Sequence, residues 1–229
     1  MKKTTTKTTK LKNSGGMPIA VVAVADGVIL LQKKESKTSS TLFLSWSKNG
    51  VDFIVDPGKV IIKTLSKKSE AIKSCYNFSI SKTPNGFVMT YFRKAGLRTK
   101  EKLVVARSKD LYKWEVKSEM LANDSKHATV VYDKQKDKFE MYRDGLFIRN
   151  QASISLSVWK EKPSLMFTSR VGYFDSENLT IIGGTITTEG ILLIYDASVE
   201  QGSKTLLQMG AVVFDLNNPK RIIWRSHLP

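Results

Sequence analysis

Apolar residues along this chain come in short runs of Val, Ile, Leu, Phe and Tyr, broken every few positions by Gly, Asn, Asp, Lys or Thr. The i, i+3, i+4 spacing of an amphipathic helix is nearly absent, so the pattern predicts many short antiparallel strands. Four stretches share one shape, strand, polar turn, strand: "VVAVADGVILLQ", "FSISKTPNGFVMTYF", "TVVYDKQKDKFEMYR" and "GTITTEGILLIYD". Their turns centre near Gly27, Gly86, Asp137 and Gly190. A second hairpin follows each one and ends on an aromatic: Phe53, Trp114, Phe167 and Trp224. Four strands per unit, recurring at roughly fifty residues, with an outer-strand aromatic to pack between units, is the arithmetic of propeller blades. The expected blades cover 17–65, 72–121, 126–170 and 178–227 of a domain spanning 17–229, and a β-sandwich is the alternative. A propeller ring must close. Four blades therefore make either a four-bladed ring or a larger one whose remaining blade is supplied by another segment or chain.

Composition narrows the class. At 229 residues and 41% hydrophobic, the chain can bury a substantial core. A lone cysteine, Cys75, excludes an internal disulfide framework and fits a reducing compartment. No apolar stretch follows the basic start "MKKTTTKTTKLKNSGG", and Asp26-Gly27 interrupts the run "MPIAVVAVADGVILL", so neither a secretory leader nor a membrane span is expected. The expected location is cytoplasmic. Residues 1–16 carry five lysines and no acid and read as a disordered tail. The net charge of +16 makes polyanion binding an alternative function, but the body's lysines sit in turns and on alternating strand positions, where a solvated β surface places them. Nucleic acid is therefore not the expected partner. No phosphate-binding loop, dinucleotide fingerprint or Cys/His metal spacing occurs, and neither metal nor cofactor is expected.

The repeat itself nominates functional positions. In a propeller the inner strands of all blades point their ends at one axial pocket. Superposing "VMTYFR", "FEMYRD" and "LLIYDA" aligns Tyr91, Tyr142 and Tyr195, so that Phe92, Arg143 and Asp196 share one rim position. Asn77, His127 and the pair Gly183-Gly184 sit at the starts of inner strands, the glycines offering sugar a close approach to backbone.

The last fifty residues resemble the glycoside hydrolase family 130 glycosidases and mannoside phosphorylases. That family carries a Gly-rich strand, then "GWLLIYHG", then "GAALLDLxDPxKVxxR"; here stand Gly183-Gly184-Thr185, "GILLIYDAS" and "GAVVFDLNNPKRIIWRS". "KLVVARSKDLYKWE" and "KFEMYRDG" are similar to earlier family segments, so the resemblance spans roughly residues 75–227. It implies a five-bladed propeller with a sugar site in the central depression, one blade of which this chain lacks. Asp175 and Glu177 in "GYFDSENLTIIGG" match the family's acidic stretch before the Gly-rich strand, although on chemistry alone they equally suit a turn. The family's general acid lies in an "EDPR" motif; its counterpart here is "SCYN", ending on Asn77, which cannot donate a proton as an acid does. The family's phosphate-contacting His of "YHG" is Asp196, which would repel phosphate at short range. The resemblance thus implies hydrolysis rather than phosphorolysis of β-linked, mannose-type oligosaccharides. Asp196 would work with a second carboxylate from among Asp175, Glu177 and Asp144, and Arg143, His127, Asn77 and Asp144 would bind substrate. A degenerate propeller that binds glycans without turnover is the alternative.

Overall fold

The computed structural model describes residues 16–94, 100–122, 125–144, 146–149, 156–159, 164–165, 167–201 and 204–229. The expected tail, except Gly16, and most of the expected hairpin 152–167 lie outside the described residues. Among the described residues, sixteen strands form four antiparallel meanders. Blade 1 holds β1 (Met17–Val24), β2 (Gly27–Glu35), β3 (Ser40–Ser47) and β4 (Ile54–Lys63). Blade 2 holds β5 (Cys75–Thr83), β6 (Gly86–Arg93), β7 (Lys102–Ser108) and β8 (Lys113–Leu121). Blade 3 holds β9 (Thr129–Asp133), β10 (Lys138–Arg143), β11 (Leu146–Arg149) and β12 (Ser164–Leu165). Blade 4 holds β13 (Asn178–Ile186), β14 (Ile191–Gln201), β15 (Lys204–Phe214) and β16 (Ile222–Arg225). One 3-10 turn, Ile72–Ser74, is the helical exception among the described residues.

Glycine placement explains the tight hairpins. Gly86 opens β6 at φ 118°, a conformation closed to side chains, and a Cβ there would lie 2.3 Å from the Ser108 carbonyl at the end of the third strand. Gly27 and Gly190 approach the ends of β3 and β15 in the same way, with Cβ-to-carbonyl distances of 2.2 Å in each case.

Among the described residues, blades 2 and 3 stack on a neighbour at both faces and blades 1 and 4 at one, so three apolar seams separate the four blades. Between blades 1 and 2, Leu31, Leu42 and Ile62 meet Ile80, Tyr91 and Trp114. Between blades 2 and 3, Val88, Phe92 and Leu103 meet Val130, Phe139 and Met141. Between blades 3 and 4, Val131 and Tyr142 meet Ile191, Leu193, Tyr195 and Phe214. Each blade thus has a backward face toward its predecessor and a forward face toward its successor. Parallel pairing of β4 with β8 further joins blades 1 and 2 at their outer edge.

The first strands pack in series, β1 on β5, β5 on β9 and β9 on β13, around an axial cavity of about 590 Å³. No such packing joins β13 back to β1 among the described residues, and the four blades form an arc rather than a closed ring. One expectation changes accordingly. Trp114 and Phe167 are buried between blades as expected, whereas Trp224 is 50% exposed, because no described blade lies over the forward face of blade 4.

Candidate functional site

Because the strands of each blade are antiparallel, the start of the first strand and the end of the second lie at the same end of the axis. Asn77, Lys126, His127, Arg143, Asp144 and Asp196 all fall there. The segment carrying His127 is pinned from two blades. Asn77, at a β-bulge and with φ +50°, donates from Nδ2 to the Lys126 carbonyl at 2.9 Å. Thr90 donates to the Ala128 carbonyl at 2.6 Å, and Ser79 donates to Thr129 Oγ1 at 3.1 Å. From the end of β10, Asp144 (φ +38°) accepts the backbone N–H of Lys126 at 2.5 Å and of His127 at 3.1 Å, both through Oδ2. Two non-glycine residues at positive φ, held by hydrogen bonds at one end of the axis, are the kind of over-determined backbone that functional sites carry.

Electrostatics ties this segment to blade 4. Burial pushes the Asp196 carboxyl above the usual carboxylate range, with His127 opposing the shift. Burial pushes the His127 imidazole below its ordinary value, and the charges of Asp144 and Asp196 oppose that. His127 Nδ1 and Asp144 Oδ1 are buried without a hydrogen-bond partner, which leaves hydrogen-bonding capacity on each residue for a ligand hydroxyl. An imidazole held below its ordinary value, within the fields of two carboxylates of which one is raised, can bind hydroxyls and move one proton.

The other expected residues are turned away from this cluster or lie elsewhere. Arg143 is 3% exposed and donates from Nη1 to the Leu121 carbonyl of blade 2 at 3.1 Å. The reason is a one-residue shift in the expected alignment. Tyr91 and Tyr195 face backward, and the backward residue of β10 is Met141, while Tyr142 faces forward into the seam with blade 4. The forward position therefore holds Phe92, Tyr142 and Asp196, and Arg143 is the counterpart of Arg93, not of Asp196. Arg93 likewise faces backward, where it bonds Glu70 at 2.8 Å and Glu119 at 2.9 Å. A slip of one residue exchanges the faces of every side chain on a strand.

Asp175 is closed to substrate. It is 0% exposed and accepts from Arg170 Nε (3.0 Å) and Nη2 (2.9 Å), the Tyr195 hydroxyl (2.6 Å) and Arg225 Nη2 (2.6 Å). Burial alone would raise its carboxyl; Arg170, Tyr195 and Arg225 together hold it below the usual range. Its role is to lock the loop before β13 to β14 and β16. Glu177 is exposed and accepts the Glu200 backbone N–H at 3.1 Å, bracing the far end of β14. Gly183 borders the axial cavity with open space at its missing Cβ. Gly184 instead serves packing, since a Cβ there would meet Leu193 at 2.5 Å and Thr129 at 3.2 Å. Sequence reasoning missed Lys126, Ser79 and Thr90. The signals for them are slight: Lys126 and Ser79 lie beside His127 and Asn77 in sequence, and Thr90 precedes Tyr91.

Neither a family model nor a curated protein matches the chain. Solved structures do. A glycosyl hydrolase from Bacteroides ovatus superimposes with a TM-score of 0.71 at 21% identity, covering 94% of this chain and 71% of the other. A structure from a study of the glycoside hydrolase family 130 mannoside phosphorylases, some of which hydrolyse β-1,2 mannosidic linkages in Candida mannan, gives 0.70 at 20%, covering 94% and 71%. The β-1,2-mannobiose phosphorylase of Listeria innocua, in complex with β-1,2-mannobiose, gives 0.63 at 16%, covering 94% and 76%. This chain has the propeller glycosidase fold. The resemblance read from its last fifty residues holds at the level of that fold, whose five-bladed type is here represented by four blades. Among the described residues no group of three or more His, Cys, Asp or Glu is placed to hold a metal, and no helix is long and apolar enough to cross a membrane.

Proposed function

We propose that the protein is a glycoside hydrolase acting on β-linked, mannose-type oligosaccharides, built as one propeller domain over residues 17–229 and working in the cytoplasm. Asp196 is the general acid. Its carboxyl, raised by burial, holds a proton for the glycosidic oxygen to higher pH than an exposed aspartate does, and Asp144 is the second carboxylate that activates water or attacks the sugar. Among the three candidates for that second role, Asp175 is spent in a buried ion-pair cluster and Glu177 bonds backbone outside the cluster, while Asp144 keeps one oxygen without a partner beside His127. The observation that carries the proposal is the position of His127 within electrostatic reach of both Asp144 and Asp196. Hydrolysis is favoured over phosphorolysis because the accessible acid sits where an anion-binding group would be needed, and Arg143 faces away.

The test is release of reducing sugar from aryl β-mannosides and a panel of manno-oligosaccharides, with and without phosphate. Asp196→Asn should lose activity by about 100-fold or more with no loss of thermal stability. Unchanged turnover in that variant would remove Asp196 from the chemistry. A second reading, a propeller that binds glycan without turnover, draws on the two backbone N–H bonds that already occupy Asp144 Oδ2. It predicts saturable calorimetric binding with no product at any enzyme concentration.

A further inference from the structure

We propose that a basic groove on the outer part of blade 2 binds a linear acidic polysaccharide, away from the His127 cluster. Trp114 and Val116 of β8 face the seam with blade 1, so Lys113, Glu115 and Lys117 alternate onto the opposite face. Arg107 of β7 pairs in register with Glu115 on that face, and so does Lys63 of β4, because β4 and β8 join the two blades into one sheet. A groove of about 630 Å³ runs along these strands, within the size range of ligand sites. Arg107, Lys109, Lys113 and Lys117 line it, against two carboxylates, Asp110 and Glu115. Both carboxylates are already engaged. Asp110 Oδ1 accepts the backbone N–H groups of Tyr112 and Lys113 at 2.9 and 2.8 Å. Glu115 bonds Lys117 at 2.7 Å and lies 3.8 Å from Lys67, and these cations hold its carboxyl below the ordinary range. Cations thus outnumber acids two to one along the groove, with Lys109 and Lys113 fully exposed. The turn that carries Lys109 joins the end of β7 to the start of β8, at the end of the axis opposite Asp196.

The chemistry of the groove narrows its partner. Like charges on neighbouring strands repel, and an anionic polymer relieves that repulsion while releasing counterions. No aromatic residue lines the groove among the described residues, and Trp114 is 0% exposed on the other face of β8. Unpaired bases would find no stacking surface there, which is what single-stranded nucleic acid needs. A duplex brings phosphates at high density, and Asp110 and Glu115 would repel them. An acidic polysaccharide instead spaces its anions apart, with hydroxyls between them. Cation and acceptor alternate along β8 in the same way, Lys113, Glu115, Lys117, at about 6.7 Å per step. The lysines and Arg107 can hold the anions, while Glu115 and the Asn85 side chain accept from the hydroxyls. Binding here needs no turnover at the far end of the axis.

Calorimetry of the whole chain with polygalacturonate and with heparin, between about 50 and 200 mM salt, tests this. The expected result is saturable binding that weakens as salt rises. Lys113→Ala/Lys117→Ala should weaken it at least about 10-fold. Lys34→Ala/Lys204→Ala removes the same charge at exposed positions far from the groove and should weaken it by no more than about 2-fold. Glu115→Gln takes a negative charge out of the groove and should tighten binding by about 3-fold, an effect that poor folding of a variant does not imitate. Equal weakening by the two lysine pairs assigns the affinity to net charge and overturns the proposal. Failure to bind either polysaccharide at the lower salt overturns it too. So does tighter binding of a single-stranded or duplex oligonucleotide than of both polysaccharides.

Discussion

The Asp175 cluster offers the sharpest separation between holding the fold and doing chemistry. Asp175→Asn keeps the shape but turns one acceptor oxygen into a donor amide, facing three donors that already converge on it: Arg170, Tyr195 and Arg225. Arg225 cannot escape to water. Its side chain is 8% exposed, it also donates to the Thr168 carbonyl at 2.8 Å, and it lies 5.0 Å from the Phe167 ring centroid. Arg170, at 21%, can turn partly outward. Removing one partner of a buried ion pair costs about 3–5 kcal/mol, and this mobility puts the loss near the lower end, about 3 kcal/mol. Against a total stability of roughly 5–15 kcal/mol, that is a large fraction. With a urea slope near 2 kcal/mol/M, the midpoint should fall by about 1.5 M at pH 7.

The sign with pH follows from the carboxyl being held low. The folded-state stabilisation is present above the unfolded value near 3.9 and is lost as pH falls through the depressed folded one. The gap between wild type and Asp175→Asn should therefore narrow in acid. Activity per folded molecule should be unchanged. A midpoint shift under about 0.5 M, or folded protein with abolished turnover, would refute the structural assignment of Asp175.

Two further outcomes bear on the site. Asp196 carries the opposite sign: its raised carboxyl makes ionisation costly in the fold, a cost absent below the unfolded value and felt as pH rises through the folded one. Asp196→Asn should thus raise the urea midpoint at pH 7 and leave it unchanged near pH 3, in the same variant that loses activity. Thr90→Val deletes a buried 2.6 Å bond to the Ala128 carbonyl and strands that acceptor, so it should cost about 1–3 kcal/mol of stability in urea melts. It should also lower turnover more than substrate affinity, because it loosens the strand start that carries His127.

Most of the architecture was legible because turns and strand lengths announce themselves. Gly27, Gly86 and Gly190 sit where only glycine tolerates both the φ and the carbonyl beneath it, and they mark three of the four inner hairpins. What alternation cannot supply is the facing of a strand buried on both sides. In "KFEMYRDG" both Met141 and Tyr142 are 0% exposed, one in each seam, so hydrophobicity does not distinguish the backward residue from the forward one. A shared tyrosine then served as the anchor, and the arginine after it landed on the wrong face. The Asp175 cluster was hidden for a different reason. Its partners come from the loop at 170, from β14 and from β16, and no local pattern distinguishes an acid destined for a buried guanidinium pair from one destined for solvent.

The corrected register also explains why a carboxylate can close "GILLIYD". Its counterparts one and two blades earlier are Tyr142 and Phe92, each 0% exposed beneath the following blade, positions at which an unpaired carboxylate would have to give up its charge. At the forward position of blade 4 the side chain meets an incomplete wall and, across the axis end, the His127 imidazole. Partial burial raises its carboxyl, and the opening keeps it reachable. The exposed apolar face and the reachable acid thus have one cause, the absence of a described sheet over blade 4. Anything that covers that face would desolvate Asp196 further and so raise its proton affinity again.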